Sequence, residues 1–164
     1  MKKIKINPRT PENLRKYIIR FVSKYGEGHI TKQAINWLRK TPFSSLNKDN
    51  GDLIHIYLSE SNRIIGVIAI ANYGLKQAII VVHPKARKKG IAYKLTTGVL
   101  EDIDRLYVKV ANDNIPSIKH CFNVGMRAFD LIKGPTGKPT LILGFGNWNK
   151  EEWKKREASD ISNI

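Results

Sequence analysis

Hydrophobic spacing divides the chain into a helical beginning, a strand-rich middle and a mixed second half. Leu14, Ile18, Phe21, Val22 and Tyr25 lie close to a 3.6-residue period, which predicts a helix over residues 11–25. Thr10 is placed to cap it, Pro11 sits in its first turn, and Gly26 and Gly28 end it. A second helix starts at Thr31, turns Ala34, Ile35 and Leu38 to one side and stops before Pro42. Three short β-branched runs follow, at 53–58, 64–70 and 78–82, separated by Ser59–Asn62 and by Tyr73-Gly74. They read as an antiparallel meander. The third run, Ala78-Ile79-Ile80-Val81-Val82, has no polar alternation, so burial on both faces is expected.

Beyond Val82 the period returns to about four, at Ile91, Leu95, Val99 and Ile103, predicting a helix. Residues 106–110 read as a strand, and Ile115, Ile118 and Phe122 mark a helix stopped by Gly125. Two strands, 126–132 and 140–145, are joined by Gly134-Pro135-Thr136-Gly137. Asn149, with Glu152 three residues later, matches a capping box for a charged surface helix. The sum is a single α/β domain over residues 1–148 with a mostly antiparallel sheet, followed by a charged helix or tail over 149–164.

Composition narrows the class. The 164 residues contain no apolar run near the length of a membrane span and a single cysteine, which excludes an internal disulfide framework and a cysteine-rich zinc site. The start, Met1-Lys2-Lys3-Ile4-Lys5, is basic but leads to Asn7-Pro8 with no apolar stretch, so a cytoplasmic protein without a signal peptide is expected. Charge changes the picture more. There are 29 Lys and Arg against 14 Asp and Glu. Residues 1–40 carry eleven basic and two acidic side chains, and residues 61–100 carry seven basic and no acidic ones. Such a field attracts anions, whether phosphates, nucleic acid or an acidic protein.

The segment with chemistry in it is Val82-His83-Pro84-Lys85-Ala86-Arg87-Lys88-Lys89-Gly90-Ile91-Ala92, between a strand and the first turn of a helix. Unpaired amides and the positive end of the helix dipole suit a phosphate there. Gly90 admits close approach, Ala92 keeps the turn narrow, and Arg87, Lys88, Lys89 and Lys94 add charge. The spacings of the P-loop and of the dinucleotide-binding glycine fingerprint are both absent. These residues specify a diphosphate site without saying which diphosphate.

The strand, the R-x-x-G-x-A turn at Arg87–Ala92 and the helix after it resemble motif A of the GNAT superfamily of acetyl-CoA-dependent N-acyltransferases. The stretch from Asn112 to Met126 resembles the superfamily's second hallmark, with Asn114, Gly125 and Met126 in place and Met standing for Phe. Element order from residue 1 to about 148 is similar as well. The resemblance implies a central strand pair splayed apart in a sheet of six to seven mixed, mostly antiparallel strands. It implies acetyl-CoA as donor, with free backbone groups of Ile80, Val81 and Val82 along its pantetheine arm. Amides from Arg87, Lys88, Lys89, Gly90, Ile91, Ala92 and Tyr93 would hold the diphosphate, and Asn114 would bond the pantetheine or simply cap its helix. No metal is implied.

One position departs from the pattern. Cys121 stands where the superfamily most often has the Tyr that reprotonates the leaving thiolate, so its thiol is either the general acid or a small core residue. No general base stands out among His55, Tyr57, His83, His120, Asp52 and Glu60, and Lys109 occupies a strand where some relatives place a Glu. The expected reaction is transfer of acetyl to a primary amine by direct attack, with the Val82 amide as a candidate oxyanion donor. A polyanion such as RNA, or a nucleic-acid-bound protein, would present that amine across Arg15, Lys16, Arg20, Lys24, Arg39 and Lys40. The alternatives are a non-catalytic nucleic-acid-binding module and a small-molecule amine acetyltransferase. A polycationic acceptor fits poorly with the carboxylate-free stretch from 61 to 100.

Overall fold

The computed structural model describes residues 1–134 and 137–162, with side chains described up to residue 159. Pro135 and Thr136 of the expected turn lie outside the described residues. The elements in chain order are β1 (Lys2–Lys5), α1 (Arg15–Tyr25), α2 (Lys32–Lys40), β2 (Leu53–Leu58), β3 (Ile64–Ala71), β4 (Gln77–Val82), α3 (Ile91–Gly98), β5 (Arg105–Ala111), α4 (Ile115–Asn123), β6 (Arg127–Lys133), β7 (Pro139–Gly146) and α5 (Lys150–Ser162).

Among the described residues seven strands form two antiparallel sheets, ordered β1-β2-β3-β4 and β5-β7-β6. Strands β4 and β5 touch but share no ladder, so the molecule opens between them. This is the splayed pair the resemblance implies. The two α-helices α1 and α2 cover one face of the first sheet, closing a core around Ile18, Val22, Leu38, Phe43, Ile56 and Val67. On the opposite face α3 and α4 close a second core around Ile91, Leu95, Leu106 and Leu143.

Four local expectations change. The helix foreseen over 11–25 begins with a 3₁₀ turn at Glu12–Leu14 and has no side-chain cap. Thr10 Oγ1 instead accepts the Asn7 N–H at 3.0 Å, closing the turn before the helix. Thr31 does cap α2, accepting the Ala34 N–H at 3.1 Å. The basic start of the chain is strand β1, paired residue for residue from Lys2↔Leu58 to Lys5↔His55.

The third change concerns β4, which is buried on one face only. Ile79 and Val81 point into the first core, whereas Ala78, Ile80 and Val82 stay partly open. Its apolar second face lines the opening, with Ile80 and Val82 only partly buried against the second core. The central strands β2 and β3 are the ones covered on both sides over most of their length. On α4, likewise, Ile115 and Phe122 are exposed, while Cys121 and Val124 are the buried positions.

The fourth change is at α5. Asn149 Oδ1 accepts the Glu151 N–H at 2.7 Å, but Glu152 completes no capping box. Its carboxylate receives Arg105 Nε and Nη2 at 2.7 and 2.8 Å and the Tyr107 hydroxyl at 2.7 Å. Trp153 is buried beside Tyr107, Ile142 and Leu75. The charged helix is thus docked against the second sheet through one indole and one carboxylate. Among the described residues no helix is long and apolar enough to cross a membrane.

Candidate active site

The opening between β4 and β5 holds about 210 Å³. Ala78 and Ile80 form one wall, Val108 and Val110 the other, and Asn114, Ser117 and Cys121 of α4 close the floor. Backbone alternation decides which groups of β4 face it. The His83 N–H bonds the Ile65 carbonyl at 2.9 Å, and the register pairs Val81 with Val67 and Ile79 with Ala69. Odd-numbered residues therefore pair with β3, and the amides and carbonyls of Ile80 and Val82 point the other way, into the opening. Of the three residues singled out in the sequence, Val81 is spent on the ladder.

A second hollow adjoins the end of β4. Val82, Arg87, Lys88, Gly90, Ile91, Ala92 and Tyr93 line it, with His120 shared between it and the opening. Gly90 caps α3 at φ 76° and offers no side-chain cap, so the first-turn amides of Ile91, Ala92 and Tyr93 remain available. Nothing stands within 4 Å of where a Cβ on Gly90 would project. Lys88 also has positive φ, 60°. The Arg87 amide closes a turn onto the Pro84 carbonyl at 3.3 Å and is not a free donor. Its side chain donates from Nε to the Val82 carbonyl at 3.3 Å and pairs with Glu27 at 2.7 Å. Lys89 is exposed beside the hollow without lining it.

Asn114 caps α4, accepting the Ser117 N–H at 3.4 Å, and lines the opening as well. Cys121 lies at the floor with 5% exposure, and burial pushes its thiol up to about 11. An unperturbed thiol is near 8.5, so handing a proton to such a thiolate would run uphill. His120 shares a 2.8 Å hydrogen bond with Thr96 Oγ1, and burial lowers its pKa.

The other histidines separate clearly. His55 is buried at 2% exposure beneath α3 with Nε2 2.9 Å from Asp102 Oδ2, and does not line the opening. Its proximity to Asp102 favours the charged form, yet desolvation outweighs this and lowers its pKa. His83 Nδ1 accepts the Lys85 N–H, and the ring rests 4.5 Å from Tyr25. His29, which no local pattern marked, is the one imidazole among the described residues that lines both the opening and the hollow on its α1–α2 side.

That outer side is a groove made of pieces distant in sequence. Gln33, Asn36, Trp37 and Lys40 of α2, Leu75, Lys76 and Gln77 at the start of β4, Lys109 of β5 and Arg156 of α5 meet there. Lys109 reaches the opening itself. Of the six cations expected to bracket this side, only Lys40 lines it. Arg15 is committed elsewhere, bonding Glu12 at 2.6 Å and the Leu38 carbonyl at 2.6 Å while lying over the Phe43 ring.

Comparison with known proteins agrees with this geometry. Residues 28–115, just over half of the chain, match the model of the acetyltransferase (GNAT) domain. No curated protein sequence matches. Solved structures do. A variant of the spermidine N-acetyltransferase from Vibrio cholerae superposes with a TM-score of 0.63 at 12% identity, covering 89% of this chain and 95% of that one. The ribosomal-protein-S5-alanine acetyltransferase from Vibrio fischeri gives 0.64 at 12%, covering 88% and 92%. An acetyltransferase of the GNAT family from Streptococcus pneumoniae gives 0.60 at 14%, covering 88% and 99%. At these identities the likeness is one of fold.

Proposed function

Because the chain belongs to the GNAT acetyltransferase superfamily, whose donor is acetyl-CoA, we propose that it acetylates a primary amine by direct attack at the mouth of the β4–β5 opening. The observation that carries this reading is the free inner edge of β4, continuous with an uncapped helix terminus at Gly90. An extended, amide-bearing chain ending in a diphosphate matches both. Ile91, Ala92 and Tyr93 amides, with Lys88, receive the diphosphate; Ile80 and Val82 bond the pantetheine; Asn114 stays a cap that also faces the ligand.

Direction along β4 assigns the oxyanion donor. Val82 lines the diphosphate hollow and its carbonyl is taken by Arg87. Ile80 lies two residues, about 6.6 Å, further from the diphosphate and faces Cys121 and Lys109 across the opening. The Ile80 amide is therefore the better donor to the thioester oxygen.

In the reaction the amine nitrogen bonds the carbonyl carbon, the carbon–sulfur bond breaks, and coenzyme A leaves as a thiolate. The proton lost by the amine goes to His29, at the junction of opening and groove. The thiolate takes its proton from solvent, because the raised pKa of Cys121 suits a core residue better than an acid. Presentation of the amine by nucleic acid is disfavoured, since five of the six cations invoked for it do not line the groove.

The test joins binding to turnover. Saturating acetyl-CoA should raise Tm by several degrees, and His29→Gln should lower kcat by about 100-fold or more without changing that shift. No shift with wild-type protein would remove the donor assignment. A His29→Gln enzyme with unchanged kcat would remove the base.

A further inference from the structure

The groove on the α1–α2 side has a charge pattern that selects its ligand. Lys40 of α2, Lys76 of the turn before β4, Lys109 of β5 and Arg156 of α5 converge on it. The hollow that continues it toward the opening adds His29, Thr31 and Gln33. Among the described residues neither hollow, nor the opening itself, is lined by a carboxylate. The lysines there are also unspent. Other cations of this chain, among them Lys3, Lys5, Arg87, Arg105 and Lys138, have carboxylate partners within 3.0 Å. Among the described residues Lys40, Lys76 and Lys109 have no ion-pair partner. Lys109 reaches both the opening and the groove, with its Nζ 5.1 Å from the Trp153 ring centroid. Trp153 itself is buried against the second sheet, which gives Lys109 a fixed neighbour.

We propose, resting on the acetyltransferase reading above, that the acceptor is a small amine carrying an anionic group, a carboxylate or a phosphate, which Lys76 and Lys109 receive as the amine meets the thioester. Two physical effects favour this class. An anion satisfies lysines that the fold leaves without partners, whereas a polyamine would bring cation to cation. Those same lysines also lower the pKa of an ammonium held beside them, which enlarges the neutral, nucleophilic fraction. A groove of carboxylates would bind a polyamine well and would raise that pKa. The fold shared with a spermidine acetyltransferase therefore does not extend to its acceptor chemistry.

Matched amine pairs test the proposal, with free coenzyme A measured as product. An amino acid is compared with its amide, phosphoethanolamine with ethanolamine, and spermidine is run beside them. The anionic member of at least one pair should have a kcat/KM about tenfold or more above its neutral partner; which pair does so identifies carboxylate or phosphate as the group read. Lys109→Gln and Lys76→Gln, made separately, should bring that ratio toward one. Lys16→Gln, outside the groove, should leave it at the wild-type value. Preference for the amide, for ethanolamine or for spermidine would overturn the proposal, as would a ratio insensitive to both groove lysines. Absence of any product together with absence of a thermal shift by acetyl-CoA would instead defeat the acetyltransferase reading on which it rests.

Discussion

The two sides of the β4–β5 opening are built on different principles. On the donor side the contacts come mainly from one run of chain, Ile80 to Tyr93, with Asn114 and His120 of the α4 region beside it, and they are mostly backbone: strand edge, left-handed glycine, uncapped helix turn. On the acceptor side they come from α2, β4, β5 and α5, and they are side chains. Backbone recognition depends on conformation and tolerates many sequences, which suits a ligand that does not change. Side-chain recognition can be rewritten one residue at a time, which suits a ligand that does. The donor side thus belongs to the superfamily, and the acceptor side belongs to this chain.

Substitution at Trp153 should separate the two most forcefully. Trp153→Ala removes a buried indole from the contact among Tyr107, Ile142 and Leu75, at a cost of about 3–5 kcal/mol measurable by urea unfolding. With α5 loosened, Arg156 and the Lys109 neighbour leave the groove, so kcat/KM for the acceptor should fall. The acetyl-CoA dissociation constant should hold, and a parallel loss of donor affinity would mean that the two sides are one unit.

Gly90→Asp attacks the other side. The position needs φ 76° and has open space before it, so the folding penalty is about 1 kcal/mol, while a carboxylate now occupies the anion's approach. Wild-type protein at 100 times the dissociation constant gains about 2.7 kcal/mol from its ligand; the variant should gain none. A retained thermal shift would move the diphosphate elsewhere.

Much of the donor side could be read from sequence because its information is local. Arg87 to Ala92 and the strand before it fall within one window, and their geometry follows from helix and strand rules. What escaped reading was long-range. β1 is four residues with three lysines and becomes a strand only because β2 offers a partner. Glu152 fits a capping box by spacing, yet Arg105 and Tyr107, over forty residues away, hold it. His29 sits in a glycine-bounded loop with no periodicity, and only the fold brings it to the opening. The apolar run of β4 was legible as apolar, but a ligand-lining face and a buried face look the same in one dimension.

The smallest effect concerns pH. Burial lowers the pKa of His55 and of His120, so the unfolded chain, near 6.5, binds protons that the folded one refuses. Stability is then full above about pH 6.5 and declines as pH falls below it. Tm should drop between pH 7.5 and 5.5, and His120→Gln should flatten part of the slope. A Tm that rises on acidification would show these imidazoles to be charged in the fold. Because His120 borders the donor side and His55 neither ligand region, the fraction removed by His120→Gln measures how far donor-side stability is independently titrated.

The arrangement of sheet edges has a consequence for how the molecule meets its own kind. Two sheets have four edges, and a bare edge invites another chain to add a strand. The outer edge of the first sheet is β1, whose Lys2, Lys3 and Lys5, the last two paired with Glu101 and Asp102, leave a charged rim that an incoming strand would have to desolvate. The outer edge of the second is β6, bent by a bulge between Ala128 and Asp130, which spoils the register an incoming strand would need. The inner edges, β4 and β5, face each other across the opening without pairing. Charge on β1 and a bulge in β6 thus blunt the two outer edges, while the inner edge of β4 is left free to pair with the extended ligand that the slot would take.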